Sequence, residues 1–305
     1  MTGDLGPLEV VVGLAVVVTA AIVLWAPRLA AAVSFLVFGV LLAALWAVLG
    51  APDIAVAEAA HGTGITGALF IEAITRAEAD PATARREPRW PAVVAAVALG
   101  LVVVPLVVGV ASGPGTGGLA GPVADAVPAS GVTHPITAVL LAFRAYDTLL
   151  EIAVLFLAVV VVGALRPTAP VTEVRSVLLR PLVVWLLPLL LLVAGWILFA
   201  GSSLPGGAFQ AGAVLGAALV AVRITGVAAV DLRWWDAGAA LGPLAFIGLA
   251  AAGLAFGGWL VLPTGAAGVL IVALEAVLTV AIAVSLALLV SAVGEAVGTD
   301  AEVAT

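Results

Sequence analysis

Polar positions along this chain are scarce and bunched. Between them lie apolar runs at about 8–26, 29–49, 53–75, 91–111, 136–165, 181–200, 206–224, 239–258 and 267–293. Each run is long enough to cross ~30 Å of hydrocarbon, which takes a helix of ~20 residues. In lipid the helix is the open-ended structure that satisfies its own backbone. The pattern predicts an all-α integral membrane protein with about nine transmembrane helices. The third run is the most polar, holding Asp53, Glu58, His61 and Glu72. The fifth has room for a tilted span or a short lead-in.

Composition sharpens this picture. The chain is 64% hydrophobic and 10% charged over 305 residues, whereas soluble domains are roughly half apolar and a quarter charged. No large soluble domain fits, and a soluble enzyme is excluded. All 11 basic residues are arginines, against 18 acids and a net charge of -7, so no nucleic-acid footprint is present. With no cysteine, disulfides, thiolate metal sites and cysteine-ligated clusters are excluded. No cofactor or resident metal is expected. The N-terminal MTGDLGPLEV lacks the positive n-region of a signal peptide, so the first run reads as a retained span.

The arginines set an orientation. Arg28 follows the first run; Arg76, Arg85, Arg86 and Arg89 follow the third; Arg166, Arg175 and Arg180 the fifth; Arg223 and Arg233 the seventh. Connections after the even-numbered runs carry none. The positive-inside bias then puts the N-terminus outside and the acidic tail GEAVGTDAEVAT in the cytoplasm. Arg144 alone departs from this alternation. Two charged, proline-broken connections, 76–90 and 166–180, divide the chain into a three-helix unit (1–80), a two-helix unit (81–168) and a four-helix unit (169–305). The GPGTGG stretch near 113–118 reads as a flexible loop, since a phosphate cradle needs a following lysine.

Charges inside hydrocarbon cost about 2.5–3.5 kcal/mol each and normally face a bundle interior or a pathway. In FRAYDTLLE, Arg144, Asp147 and Glu151 are spaced three then four apart, on one helix face. One arginine between two acids can hold one ionised and leave the other free to exchange a proton or cation. The alternative is a salt bridge that only locks packing. In the third run, Glu58 and His61 are spaced for a carboxylate–imidazole proton relay. Asp53 and Glu72 fit either a pathway or, respectively, a helix cap and a snorkelling surface acid. Glu275 has no basic residue in its own run. Its partner must come from another helix, another subunit, or a bound proton or cation. In LPGGAFQAGAVLG, Pro205, Gly206 and Gly207 break the helix beside Gln210, the chain's single side-chain amide. Broken helix ends can coordinate ions, and a tight re-entry turn explains the glycines equally well. The steps Gly212/Gly216 and Gly253/Gly257 suit close helix packing.

These segments resemble the Mrp-type multisubunit cation/proton antiporters and the related membrane-bound hydrogenases. APDIAVAEAA resembles the signature of the hydrogenase D-type component, also found in the C-terminal part of the A-type antiporter component. FRAYDTLLE resembles the E-type motif, and LPGGAFQAG that of the B-type antiporter component, the counterpart of the hydrogenase F-type. The three occur in family order and match the three units, so the resemblance spans about residues 5–295. It implies a prokaryotic plasma-membrane protein that takes part in Na⁺ and H⁺ translocation as one member of a complex. Its partners would be other Mrp-like or complex-I-like membrane subunits, including the lysine-containing antiporter-like ones. By motif, Asp53 and Glu58, then Arg144, Asp147 and Glu151, then Gly206, Gly207, Phe209 and Gln210 carry over. His61, Glu72 and Glu275 stand on physical grounds. Ala145 and Ala208 replace family glycines, and Ala142 stands where an acid is common. The expected mechanism is cation passage along facing acids of the third, fifth and ninth spans. The rivals are a membrane arm driven by redox chemistry in partner subunits and a purely structural scaffold.

Overall fold

The computed structural model describes residues 6–26, 28–67, 118–165, 178–227, 235–263 and 265–302, with scattered positions between 94 and 105. Every regular element among them is helical. Helices α1 (Pro7–Trp25) and α2 (Arg28–Val48) pack together. Short α3 (Pro52–Glu58) runs into a π-helical turn, Ala59–Ile65, seated on α2. After α4 (Ala120–Ala126), α5 (Pro135–Ala138) runs into a second π-helical turn, Val139–Phe143. Arg144 leaves helical geometry (φ -126°, ψ 33°) before α6 (Ala145–Leu165) begins. The remainder is α7 (Leu179–Ala200), α8 (Ala208–Thr225), α9 (Trp235–Ala252) and α10 (Ala267–Glu302).

Seven helices among the described residues are long and apolar enough to cross a bilayer. The chain is an all-α, multi-pass membrane protein. The run 53–75 is described only to residue 67, and 91–111 lies largely outside the described residues. Burial is inverted relative to a soluble protein. Leu192 is 70% and Val269 75% exposed, while Thr148, Glu275, Thr279 and Ser285 are buried. Hydrocarbon is the solvent that such a surface suits. Pro188 and Pro243 sit inside α7 and α9, as spanning helices tolerate.

Helix α8 is the hub. It lies against α7, α10 and the Ala59–Ile65 turn. Small residues let the backbones approach: a β-carbon on Gly212 would sit 2.7 Å from Ile282 Cγ2, and one on Gly216 3.2 Å from the Ala283 carbonyl. Association in lipid depends on such close packing. The Gly253/Gly257 step acts otherwise, closing the end of α9 through a 3₁₀ turn. One core gathers Ile152, Phe246, Ile271 and Leu278 from α6, α9 and α10. A second joins Ala60 of the first π turn to Val159, Val220, Trp235 and Leu288. The two ends of the chain thus share one interior.

Gly212→Val should lower the melting temperature of the detergent-solubilised protein, through an overpacking cost of about 1–3 kcal/mol. Gly248→Ala, where a β-carbon meets nothing within 4 Å, should leave it unchanged. Equal melting of both variants would contradict the α8–α10 contact.

Candidate functional site

The site forms where α7 ends and α8 begins. The Ile197 carbonyl accepts both the Gly201 N–H (3.2 Å) and the Gly207 N–H (3.1 Å). This folds 201–207 into a tight re-entry turn. Gly207 has φ 122°, left-handed backbone open to glycine. A β-carbon there would also lie 3.0 Å from Glu275 Oε1. Ala208 then opens α8, and its N–H donates to the Glu275 carboxylate. The substitution of alanine for a family glycine is neutral to this bond, because any residue but proline supplies the donor.

Glu275 is 3% exposed, and its Oε2 has no hydrogen-bond partner among the described residues. The amide-rich start of a helix carries partial positive charge, and here it is aimed at an acid from α10. Gln210 Oε1 comes within 3.6 Å of the same Gly207 β-carbon position, and Phe209 packs on the first core. Gly207, Phe209, Gln210 and Glu275 therefore meet at one place, with Gly206 in the turn that builds it. The sequence left Glu275's partner open; the structure supplies the α8 N-terminus.

A second cluster adjoins the first. His134 Nε2 lies 2.8 Å from Asp53 Oδ1, with the two side chains 11% and 17% exposed. The Thr133 and His134 N–H groups both donate to the Ser202 carbonyl, at 3.0 and 3.1 Å, and the Thr137 hydroxyl donates to the Gly201 carbonyl. Gly131 (φ 84°) sits so close to the start of α10 that a β-carbon would meet the Gly268 nitrogen at 2.6 Å. Residues 130–137 thus clasp α3, the 201–207 turn and α10 together. His134 escaped the sequence reading because it lies in a Gly/Pro-rich loop 81 positions from its partner. Its one local signal is a place just before Pro135, which opens a helix. Asp53 is a hydrogen-bond partner of the His134 ring and makes no side-chain cap on α3.

Two expectations are corrected. Glu58 and His61 make no hydrogen bond to each other among the described residues: His61 Nδ1–H donates to the Ala57 carbonyl at 2.9 Å, and the Glu58 carboxylate folds over Gly62. A helical back-bond satisfied the ring more locally than the carboxylate could. Among the described residues, the acids of the third, fifth and ninth spans do not converge either. Arg144 and Asp147 form an ion pair, yet are 69% and 43% exposed. With Glu151 they line a shallow open groove that includes Leu150 and Val154. The physical reason lies in α6, which buries Ala145, Leu149, Ile152 and Val159. The apolar stripe took the interior, so the charged stripe faces out. Glu72 lies outside the described residues. Among the described residues no three His, Asp or Glu side chains gather as a metal set.

With this geometry in view, residues 13–79 match the MbhD family, the D-type component of MBH. Residues 178–298 match the domain related to the MnhB subunit of Na⁺/H⁺ antiporter. The chain thus carries an MbhD-like region followed by a domain related to the MnhB subunit of Na⁺/H⁺ antiporter. Its fold is similar to a chain of the Mrp complex from Dietzia sp. DQ12-45-1b, with TM-score 0.75 and 21% identity over 96% of this chain. That match takes in 35% of the Dietzia chain, so this protein spans about a third of its length. The fold is also similar to a chain of the archaeal membrane-bound sulfane sulfur reductase, with TM-score 0.54 and 22% identity over 67% of this chain and 98% of that one. Among curated proteins, none matches. The re-entry turn and Glu275 both fall within the MnhB-related region, whereas His134 falls in neither matched region.

A double-mutant cycle of Asp53→Asn and His134→Ala, read by thermal or denaturant unfolding of the solubilised protein, should return a coupling energy of about 1–3 kcal/mol. Strictly additive single effects would remove the clasp.

Proposed function

We propose that this chain is a membrane subunit of a multisubunit monovalent cation (Na⁺)/proton antiporter and contributes part of the cation/proton pathway. One observation carries the reading: in the MnhB-related region, the broken-helix motif delivers a helix N-terminus to a buried acid. The chain itself is a transporter component, with any catalysis left to partners. It crosses a prokaryotic plasma membrane nine times, N-terminus outside, as three units bounded near residues 80 and 168.

The pathway is shared with neighbours. Arg144, Asp147 and Glu151 face outward at a depth where lipid contact would cost about 2.5–3.5 kcal/mol per charge. A neighbouring protein of the assembled complex covers that groove and completes the route there. The lysine-containing antiporter-like subunits have the cations to oppose Glu151. A second reading is a membrane arm in which partner redox chemistry drives ion flow; the match to the MbhD family and the likeness to the sulfane sulfur reductase favour it.

In everted vesicles carrying the complete complex, Na⁺-dependent collapse of ΔpH should vanish when this chain is deleted. Glu151→Gln should slow it by about tenfold, on the order of 1.4 kcal/mol. Unchanged exchange in Glu151→Gln would take the α6 acids out of the mechanism. Exchange that appears only with an added electron donor would establish the redox-driven reading instead.

A further inference from the structure

We infer that Glu275 and the α8 N-terminus form a proton-binding site, one that exchanges H⁺ and does not coordinate Na⁺. The inference rests on the antiporter reading and names the ligand of one of its acids. Glu275 is the ninth residue of α10, about 12 Å along the helix from its start, and is almost wholly enclosed.

The donor set decides the ligand. A hard cation gathers about six oxygens. Here the carboxylate meets an N–H from Ala208, and the Gly207 β-carbon position lies 3.0 Å from Glu275 Oε1 and 3.6 Å from Gln210 Oε1. Thr279, one turn on, donates its hydroxyl to the Glu275 backbone carbonyl at 2.8 Å, which turns its proton back along α10. The α8 terminus also repels a cation, since its exposed amides carry partial positive charge. A proton needs a single lone pair, and Oε2 has one with no donor on it among the described residues. Two states are accessible: an anion held by the α8 amides, and a neutral acid at home in apolar surroundings.

Among the described residues no other charge pairs with Glu275. The helices packed on α10 are α6, α7, α8 and α9. Arg144, Asp147 and Glu151 of α6 lie on its outward face. Arg180 is near the far end of α7 and Arg223 near the far end of α8, some 15 residues beyond Ala208. Asp236 is in the first turn of α9. His134 is turned to Asp53. None of them forms an ion pair with Glu275 among the described residues.

Dicyclohexylcarbodiimide tests this on membranes holding the complete complex. The protonated acid gives its proton to a carbodiimide nitrogen and its oxygen adds to the carbodiimide carbon. The adduct rearranges to a stable N-acylurea, with nothing leaving. Mass mapping should find the adduct on Glu275. Its rate of formation should fall by about tenfold per pH unit once the acid is mostly ionised, and added Na⁺ at constant ionic strength should not change it. Glu275→Gln, which keeps an oxygen for the Ala208 N–H, should assemble and lose the adduct. Protection by Na⁺ would make the site a cation site and overturn the inference. No adduct on Glu275, or failure of Glu275→Gln to assemble, would make it a permanent structural cap. Labelling does not depend on transport, so an intact adduct with no exchange would sink the antiporter reading alone.

Discussion

A chain crossing hydrocarbon must meet its backbone hydrogen-bonding needs from within, because no water is there to help. The connection between α7 and α8 is where that demand is hardest to satisfy. Two helices end there within seven residues, leaving carbonyls on one side and amides on the other. The protein answers with a closed set of bonds. Ile197 takes the N–H groups of Gly201 and Gly207, Ser202 takes those of Thr133 and His134, and Glu275 takes that of Ala208. The two clusters of chemistry described above are made from the same bonds that close the chain ends.

Polar side chains fall into two populations with different surroundings. Glu275, Thr279 and the Asp53–His134 pair are enclosed by the chain itself, each with a local or cross-chain partner. The α6 charges have the bundle behind them and an open groove in front. Both π-helical turns adjoin these groups: one follows Glu58 directly, the other ends at Arg144. Such turns insert an extra residue into a helix and often occur at functional sites. Here the second ends where Arg144 breaks helical geometry, just before α6 begins.

Much of the architecture was legible in the sequence because lipid imposes it directly. Run lengths pointed to an all-α membrane protein, and the Gly212/Gly216 step suggested close helix packing without naming its partner. Gly206 and Gly207 marked the re-entry turn. Asp53–His134 was not legible, since a pairing across 81 positions leaves no periodic trace. The outward face of α6 was misjudged for a different reason. Spacing showed that Arg144, Asp147 and Glu151 share a side, but Ala145, Leu149 and Ile152 compete for the interior, and spacing alone does not rank the two. Glu58 and His61 had the right separation for contact, yet the nearest acceptor for the imidazole was a backbone carbonyl one turn back.

The Ser202 carbonyl binds two successive amides of the 130–137 segment, and the ring of the second reaches Asp53. Asp53 leads α3, Ser202 sits in the turn that precedes Ala208, and Gly131 rests on the start of α10. The N-terminal part of the chain therefore reaches α8 twice, through this segment and through the Ala59–Ile65 turn that packs on α8 itself. The place where Ala208 meets Glu275 is braced from both halves of the sequence.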